Sequence, residues 1–185
     1  GIFDLCGNVW EWVSGLRLHN GEIQVIPDNN SARGVDESAT SPLWRAMLQD
    51  GTLVAPGPAG TLKYDNSITG DATQTNHDIG GAAELSTVRN NPMYTGGDVD
   101  DYYGYQYQTY ESLAAKAGIT VPEIAKVLGL FPTNPTAGGH DGDGLWVRNY
   151  GERLPLRGGV FALDLGESRA SSSHNVGFRA AFVNL

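Results

Sequence analysis

The sequence has a single cysteine, Cys6, which rules out a disulfide within the chain, a two-cysteine redox pair and a multi-thiolate zinc site. Cys6 lies between Leu5 and Gly7, a context that suits a buried small hydrophobe better than an activated thiolate. Positive charge is also scarce: 12 Lys and Arg face 21 Asp and Glu, for a net charge of −9. So low a cation density is poorly suited to displacing counterions from nucleic acid or to binding an anionic membrane surface. No apolar run approaches the roughly 20 residues that a membrane-spanning helix needs. The opening Gly1-Ile2-Phe3-Asp4-Leu5-Cys6 carries no signal-peptide pattern and reads like the interior of a fold, as the C-terminal part of a longer product would. A length of 185 residues suits one domain, or one domain with a large insertion.

Glycine and turn-forming residues are plentiful, and their distribution divides the chain into three regions. In residues 1–30, Asn8 to Val13 alternates with the period of a half-buried strand. Leu18 to Ile26 reads as a hairpin around Asn20-Gly21, because both central positions of a type I′ turn need positive φ. Residues 31–140 read as a loop-rich insertion with three short helices. The first is expected from Ser41 as N-cap and Pro42 through Leu48, stopped at Gly51. The second spans Tyr110 to Lys116. The third begins at a Thr120–Glu123 capping box and buries a stripe of Ile124, Val127 and Leu128 before Gly129 and Pro132 end it. The stretch 65–109 has little helical or strand character and is expected to be long loops with at most a short hairpin. Residues 145–185 return to strands at Trp146-Val147-Arg148, Val160 to Leu165 and Phe178 to Val183, with Gly177 permitting a kink.

The two ends share a paired motif. Gly7-Asn8-Val9-Trp10-Glu11-Trp12 stands near the start; Leu156-Arg157-Gly158-Gly159 and Gly177-Phe178-Arg179 stand near the end. This pairing resembles the formylglycine-generating-enzyme (sulfatase-modifying factor) family, whose fold is an elaborated C-type-lectin fold. Within that family, the run from Gly159 to Arg179 resembles the variable region of proteins diversified by diversity-generating retroelements. It contains Val160-Phe161-Ala162-Leu163 and Ser171-Ser172-Ser173-His174-Asn175-Val176. The resemblance implies an α+β, C-type-lectin-like domain, with 1–30 and 145–185 as framework and 31–140 as insertion. It also implies that side chains at Asp164, Gly166, Ser171, Ser173 and His174 contact a ligand. Glu167 falls in the same pattern, although an Asn codon cannot reach Glu by adenine changes alone. Tyr150, with Arg148 and Asn149, is expected to line the edge of that face. One departure is clear: no Trp-containing loop separates Gly159 from Val160. The tyrosines of the insertion, Tyr102, Tyr103, Tyr105, Tyr107 and Tyr110, could supply the missing contact area.

The residues that enzymes of this family use are absent or scattered. No cysteine comes after Cys6, so the copper-binding and thiol-exchange chemistry has no thiolates. His19, His77, His140 and His174 lie on dissimilar segments, without the spacing of an iron site. Ser173, His174 and Asp164 are near in sequence, but no nucleophile elbow accompanies them. For a metal, Asn8 and Glu11 resemble a calcium-binding turn of the family, and hard oxygen ligands suit calcium. The alternative is that Glu11 is a buried carboxylate held by an arginine or by backbone N–H groups. The acidic runs at Asp98 to Asp101 and at Asp141 and Asp143 lack the spacing of a calcium loop and read as solvated loop acids. Trp10 or Trp12 is expected to stack on the anchor arginines Arg157 and Arg179, all four serving as framework.

The expectation is therefore a non-catalytic receptor-binding protein that uses at most a structural calcium. By resemblance, its setting is a phage tail or a bacterial surface, its partner a protein or glycan on a cell, and its assembly a trimer of the kind common on tail fibres. A sulfatase-modifying type of metalloenzyme and a purely structural tail protein are the alternatives.

Overall fold

The computed structural model describes residues 10–28, 34–67, 81–91, 105–133, 142–158, 162–169 and 176–178. Their regular structure is mostly strand. In chain order the strands are β1 (Trp10–Trp12), β2 (Leu16–His19), β3 (Glu22–Val25), β4 (Arg45–Met47), β5 (Leu53–Val54), β6 (Lys63–Asn66) and β7 (Ala83–Ser86). They continue with β8 (Gln106–Thr109), β9 (Ala114–Ala115), β10 (Gly144–Val147), β11 (Glu152–Gly158), β12 (Ala162–Glu167) and β13 (Val176–Phe178). Helical structure among the described residues is limited to α1 (Glu123–Val127) and a 3-10 turn at Tyr110–Ser112. No described helix is long and apolar enough to cross a membrane.

One continuous sheet runs in the order β8-β10-β12-β11-β2-β3-β6-β7-β9. β11 organises it. Its first residues pair with β2, its last residues with β1, and its other edge with β12. The register slips between Leu154 and Leu156, where Pro155 lacks the N–H that a regular ladder needs. The Pro155 carbonyl still takes a hydrogen bond from Val13 N–H at 3.0 Å. β1 in turn lies between β11 and β13, with Glu11 opposite both Arg157 and Gly177. Strands β4 to β9, from the segment expected to be a loop-rich insertion, extend the same sheet.

The sheet curls until its ends approach. β8 does not form a backbone ladder with β7; the Gln108 carboxamide bridges them instead. Its oxygen accepts the Ala83 N–H at 2.6 Å and its nitrogen donates to the Ala83 carbonyl at 3.4 Å. Inside the curl lie Leu18, Ile23, Leu62, Tyr64, Leu85, Leu145, Val147, Leu163 and Leu165, all fully buried. The Tyr64 hydroxyl, unable to reach water, donates to the Leu130 carbonyl at 2.5 Å.

The β2–β3 hairpin obeys its turn chemistry. Asn20 has φ 50° and Gly21 φ 78°, as a type I′ turn requires. Gly21 is needed a second time for space, since a Cβ there would stand 2.8 Å from the Tyr64 carbonyl oxygen.

Three helix expectations meet different outcomes. Ser41 Oγ does accept the Leu43 N–H, a cap-like contact at 3.2 Å. The chain beyond it, however, forms β4 and not a helix, because Arg45–Met47 pairs with β3 on one side and β5 on the other. Trp44, 1 % exposed, is fixed by its indole N–H on the Ser38 carbonyl. Tertiary pairing thus overrides a local signal. The second helix shrinks to the 3-10 turn, after which β9 pairs parallel with β7. The third helix is present, but Pro122 is its N-cap, with no side-chain cap bond. Its buried residue is Ala125, and Val127 is 83 % exposed, so the stripe of Ile124, Val127 and Leu128 does not form as expected. A helix this short is held by the residues just beyond its C-terminus: Leu130 N–H bonds the Ala125 carbonyl, and Leu130 and Phe131 are buried.

Candidate recognition surface

Strand alternation gives the β1-β11-β12-β10-β8 region two distinct faces. One carries Leu145 and Leu163 into the core. On the other, the register sets Trp12, Leu156, Asp164, Trp146 and Tyr107 side by side across five strands. Beside this row runs a strip of small residues, Gly158, Ala162 and Gly144. Two indoles lie over its glycines from opposite sides. A Cβ on Gly158 would stand 3.0 Å from the Trp10 ring, and one on Gly144 only 2.3 Å from the Trp146 ring. The rings of Trp10 and Trp146 meet edge-to-face at 5.3 Å, and Tyr107 approaches Trp146 at 5.0 Å. Tyr107 is 43 % exposed and the three tryptophans are half-buried.

Asp164 sits in this row, half-buried, and its Oδ1 accepts the Gly166 N–H at 2.6 Å. Glu167 ends β12 opposite Leu154 and is half-buried. Two expected contact residues are placed otherwise. Gly166 is buried within β12, and Tyr150 is 8 % exposed. Tyr150 is packed under guanidinium groups, with Arg153 4.5 Å and Arg148 5.9 Å from its ring, so its aromatic face serves the interior. Arg148 and Asn149 are buried as well, and do not line an outer edge. The ligand contacts expected at Gly166 and Tyr150 are therefore corrected: β12 is an inner strand, paired with β10 and β11. Ser171, Ser173, His174 and Arg179 lie outside the described residues, as does Asn8.

Among the described residues an arginine–indole stack forms at Trp44, with the Arg17 guanidinium 4.4 Å from the ring; Arg179, one of the two arginines expected on Trp10 or Trp12, lies outside them. Arg157 points to the face opposite Trp10, level with Leu163. There it donates to the carbonyls of Leu128 at 3.0 Å and Gly129 at 2.8 Å, tying the turn after α1 to the sheet. Burial lowers its pKa, with Tyr110 and Tyr64 opposing that shift. Glu11, half-buried on β1, faces Arg157 across the ladder. Among the described residues no three His, Cys, Asp or Glu side chains converge as a metal-binding group.

At the exit of β12 lies a feature that sequence reasoning missed. The Arg169 guanidinium grips Glu152 with two bonds, Nε to Oε2 at 2.8 Å and Nη2 to Oε1 at 2.9 Å, and Nη2 also donates to the Glu37 carbonyl at 3.0 Å. Glu152 Oε1 receives a further bond from Arg17 Nη1 at 2.7 Å. Arg17 is itself immobilised by Gln24, by the Ala39 carbonyl and by Trp44. Three consecutive carbonyls, of Glu37, Ser38 and Ala39, thus receive Arg169, Trp44 and Arg17 in turn. Burial disfavours the charge on Glu152, but the hydrogen bonds from Arg169 and Arg17 outweigh it and hold its carboxyl below the usual range. The hydrogen bond to Glu152 raises the Arg169 pKa. The only sequence signal was one basic residue set among small polar ones, Glu167-Ser168-Arg169-Ala170-Ser171.

The sequence matches no protein-family model and no curated protein.

Proposed function

We propose that the protein is a non-catalytic recognition protein of the C-type-lectin-like, formylglycine-generating-enzyme subtype. Its binding tract leaves the sheet at the end of β12 and includes Glu167, Ser171, Ser173 and His174. One observation carries the reading. The two motif-bearing ends, more than a hundred residues apart, are adjacent strands, with β1 lying between β11 and β13. That juxtaposition is what the resemblance to variable proteins of diversity-generating retroelements requires of its framework. The aromatic row ending at Tyr107 adjoins the same strand and offers contact area of the kind antibody loops use. The partner is a protein or glycan on a cell surface, met from a phage tail or a bacterial surface. Calcium, if bound at Asn8 and Glu11, would brace the framework and take no part in chemistry.

The test replaces Glu167, Ser171, Ser173 and His174 together by Ala. Fluorescently labelled protein is then applied to a panel of bacterial cells and to a printed glycan array. Adsorption of the parent, reduced at least about tenfold in the variant with the melting temperature unchanged, supports the reading. Equal adsorption by both proteins, or no adsorption by the parent, overturns it.

A further inference from the structure

We propose, resting on the reading of this chain as a recognition protein, that the aromatic row on the outer face of the sheet binds an uncharged oligosaccharide. The ladders set two parallel rows on this face. Trp12, Leu156, Asp164, Trp146 and Tyr107 form one; Gly158, Ala162, Gly144 and Thr109 run beside it. The rings are held in place by the sheet itself. Trp10 lies over Gly158 and Trp146 over Gly144, each close enough to crowd a Cβ at that glycine. Tyr107 leans on Trp146 at 39°, with ring centroids 5.0 Å apart, and is 43 % exposed. Rings fixed in this way lose little conformational freedom when a ligand settles on them.

Three observations select a neutral sugar. The first is area. Five strands span about 19 Å and two residues along a strand about 7 Å, so the strip presents on the order of 200 Å². A stable protein interface buries roughly 800 Å² on each partner, which excludes a second copy of this chain resting on the strip alone. The second is Asp164, which sets a carboxylate in the same row as the rings. Its Oδ1 accepts the Gly166 N–H, and a carboxylate accepts several donors at once. A pyranose matches that pairing, with a C–H face to lie against a ring and hydroxyls at its rim to donate to the carboxylate. The third is charge. Neither row contains a Lys or Arg, and the chain carries −9, so sulfated and uronic sugars are disfavoured.

Tryptophan emission and calorimetric titration with short neutral oligomers of glucose, mannose and N-acetylglucosamine test this. At least one oligomer is expected to shift the parent's emission and to bind with a Kd of about 1 mM or tighter. Tyr107→Ala should weaken that binding at least about tenfold, and Asp164→Asn at least about threefold, both with the parent's melting temperature. These two variants avoid truncating a tryptophan, and Asp164→Asn keeps an oxygen for the Gly166 N–H. A parent that no neutral oligomer perturbs overturns the inference. So does equal binding by Tyr107→Ala, tighter binding of a sulfated or uronic oligomer, or a parental dimer that Tyr107→Ala dissociates. The combined alanine variant at Glu167, Ser171, Ser173 and His174 separates the two proposals. No oligosaccharide binding, with cell adsorption lost in that variant, removes the row and spares the tract. Oligosaccharide binding kept by a variant that adsorbs as well as the parent spares the row and removes the tract.

Discussion

Two carboxylates, Asp65 and Glu152, each fasten loops to the sheet, and they do so with different donors. Asp65, fully buried in β6, accepts three backbone N–H groups, from Asn66 at 3.0 Å, Asn91 at 2.8 Å and Asn90 at 3.1 Å. Lys116 adds an ion pair at 2.7 Å. Glu152 is half-buried and its partners are the side chains of Arg17 and Arg169. Backbone donors are present at every residue except proline; side-chain donors depend on identity. The Asp65 node therefore withstands most substitutions of its backbone donors, whereas the Glu152 node depends on the identity of two side chains, Arg17 and Arg169. The comparison separates a region braced by main-chain donors, β6 to β9, from a region whose geometry is conditional on two arginines.

The sharpest way to break this comparison is Asp65→Ala. It removes the acceptor of the buried Asn66 N–H and the part-buried Asn91 N–H, at a cost of roughly 2–4 kcal/mol, while Lys116 keeps Glu84 at 3.8 Å. Urea denaturation reads the loss directly, and a cost below about 1 kcal/mol would equate Asp65 with a surface pair. Next in size is Gly144→Ala, whose Cβ would collide with the Trp146 ring. Displacing that indole should cost about 1–3 kcal/mol and shift the tryptophan emission. An unaltered spectrum would show that the row of Trp10, Trp146 and Tyr107 does not depend on the glycine strip.

Alkaline pH probes the braced region from within. Burial pushes the Tyr110 hydroxyl up to about 12 and that of Tyr64 higher still. Both must stay protonated in the folded state while the unfolded chain ionises near the ordinary value of 10. Their contribution to stability is thus complete below about pH 10 and declines as pH rises towards 12, by about 2 kcal/mol for Tyr110. Thermal melts from pH 8 to 11.5 read this, and a constant midpoint would contradict the burial of these hydroxyls.

Local chemistry made part of this architecture legible. Asn20-Gly21 specified its hairpin, the alternation around Trp10 to Trp12 marked β1, and Glu123 to Val127 marked α1. What local chemistry could not carry was pairing at long range. Ser41 and Pro42 offered a genuine helix start, and β4 formed because β3 and β5 flank it. β11 was missed because Pro155 and the charged Glu152 and Arg153 obscure its alternation. The motif-bearing ends were visible as sequence, yet the side chains that join β11, β2 and the 36–39 loop at the exit of β12 were not. Arg17 and Glu152 are 135 residues apart, and Glu37 and Arg169 are 132 apart. No spacing rule links such positions before the sheet exists. Tyr150 shows the converse: its position beside the candidate segment suggests a contact residue, and two arginines draw it inward.

The account depends on a framework that stays folded while the tract's side chains are exchanged. Urea midpoints compared between Leu163→Ala and the combined Glu167, Ser171, Ser173 and His174 alanine variant measure this most directly. Leu163 is fully buried, and its truncation is expected to cost about 2–5 kcal/mol. The combined variant is expected to lie within about 0.5 kcal/mol of the parent. A combined variant as unstable as Leu163→Ala would show that the tract is part of the core, and the central claim would be wrong.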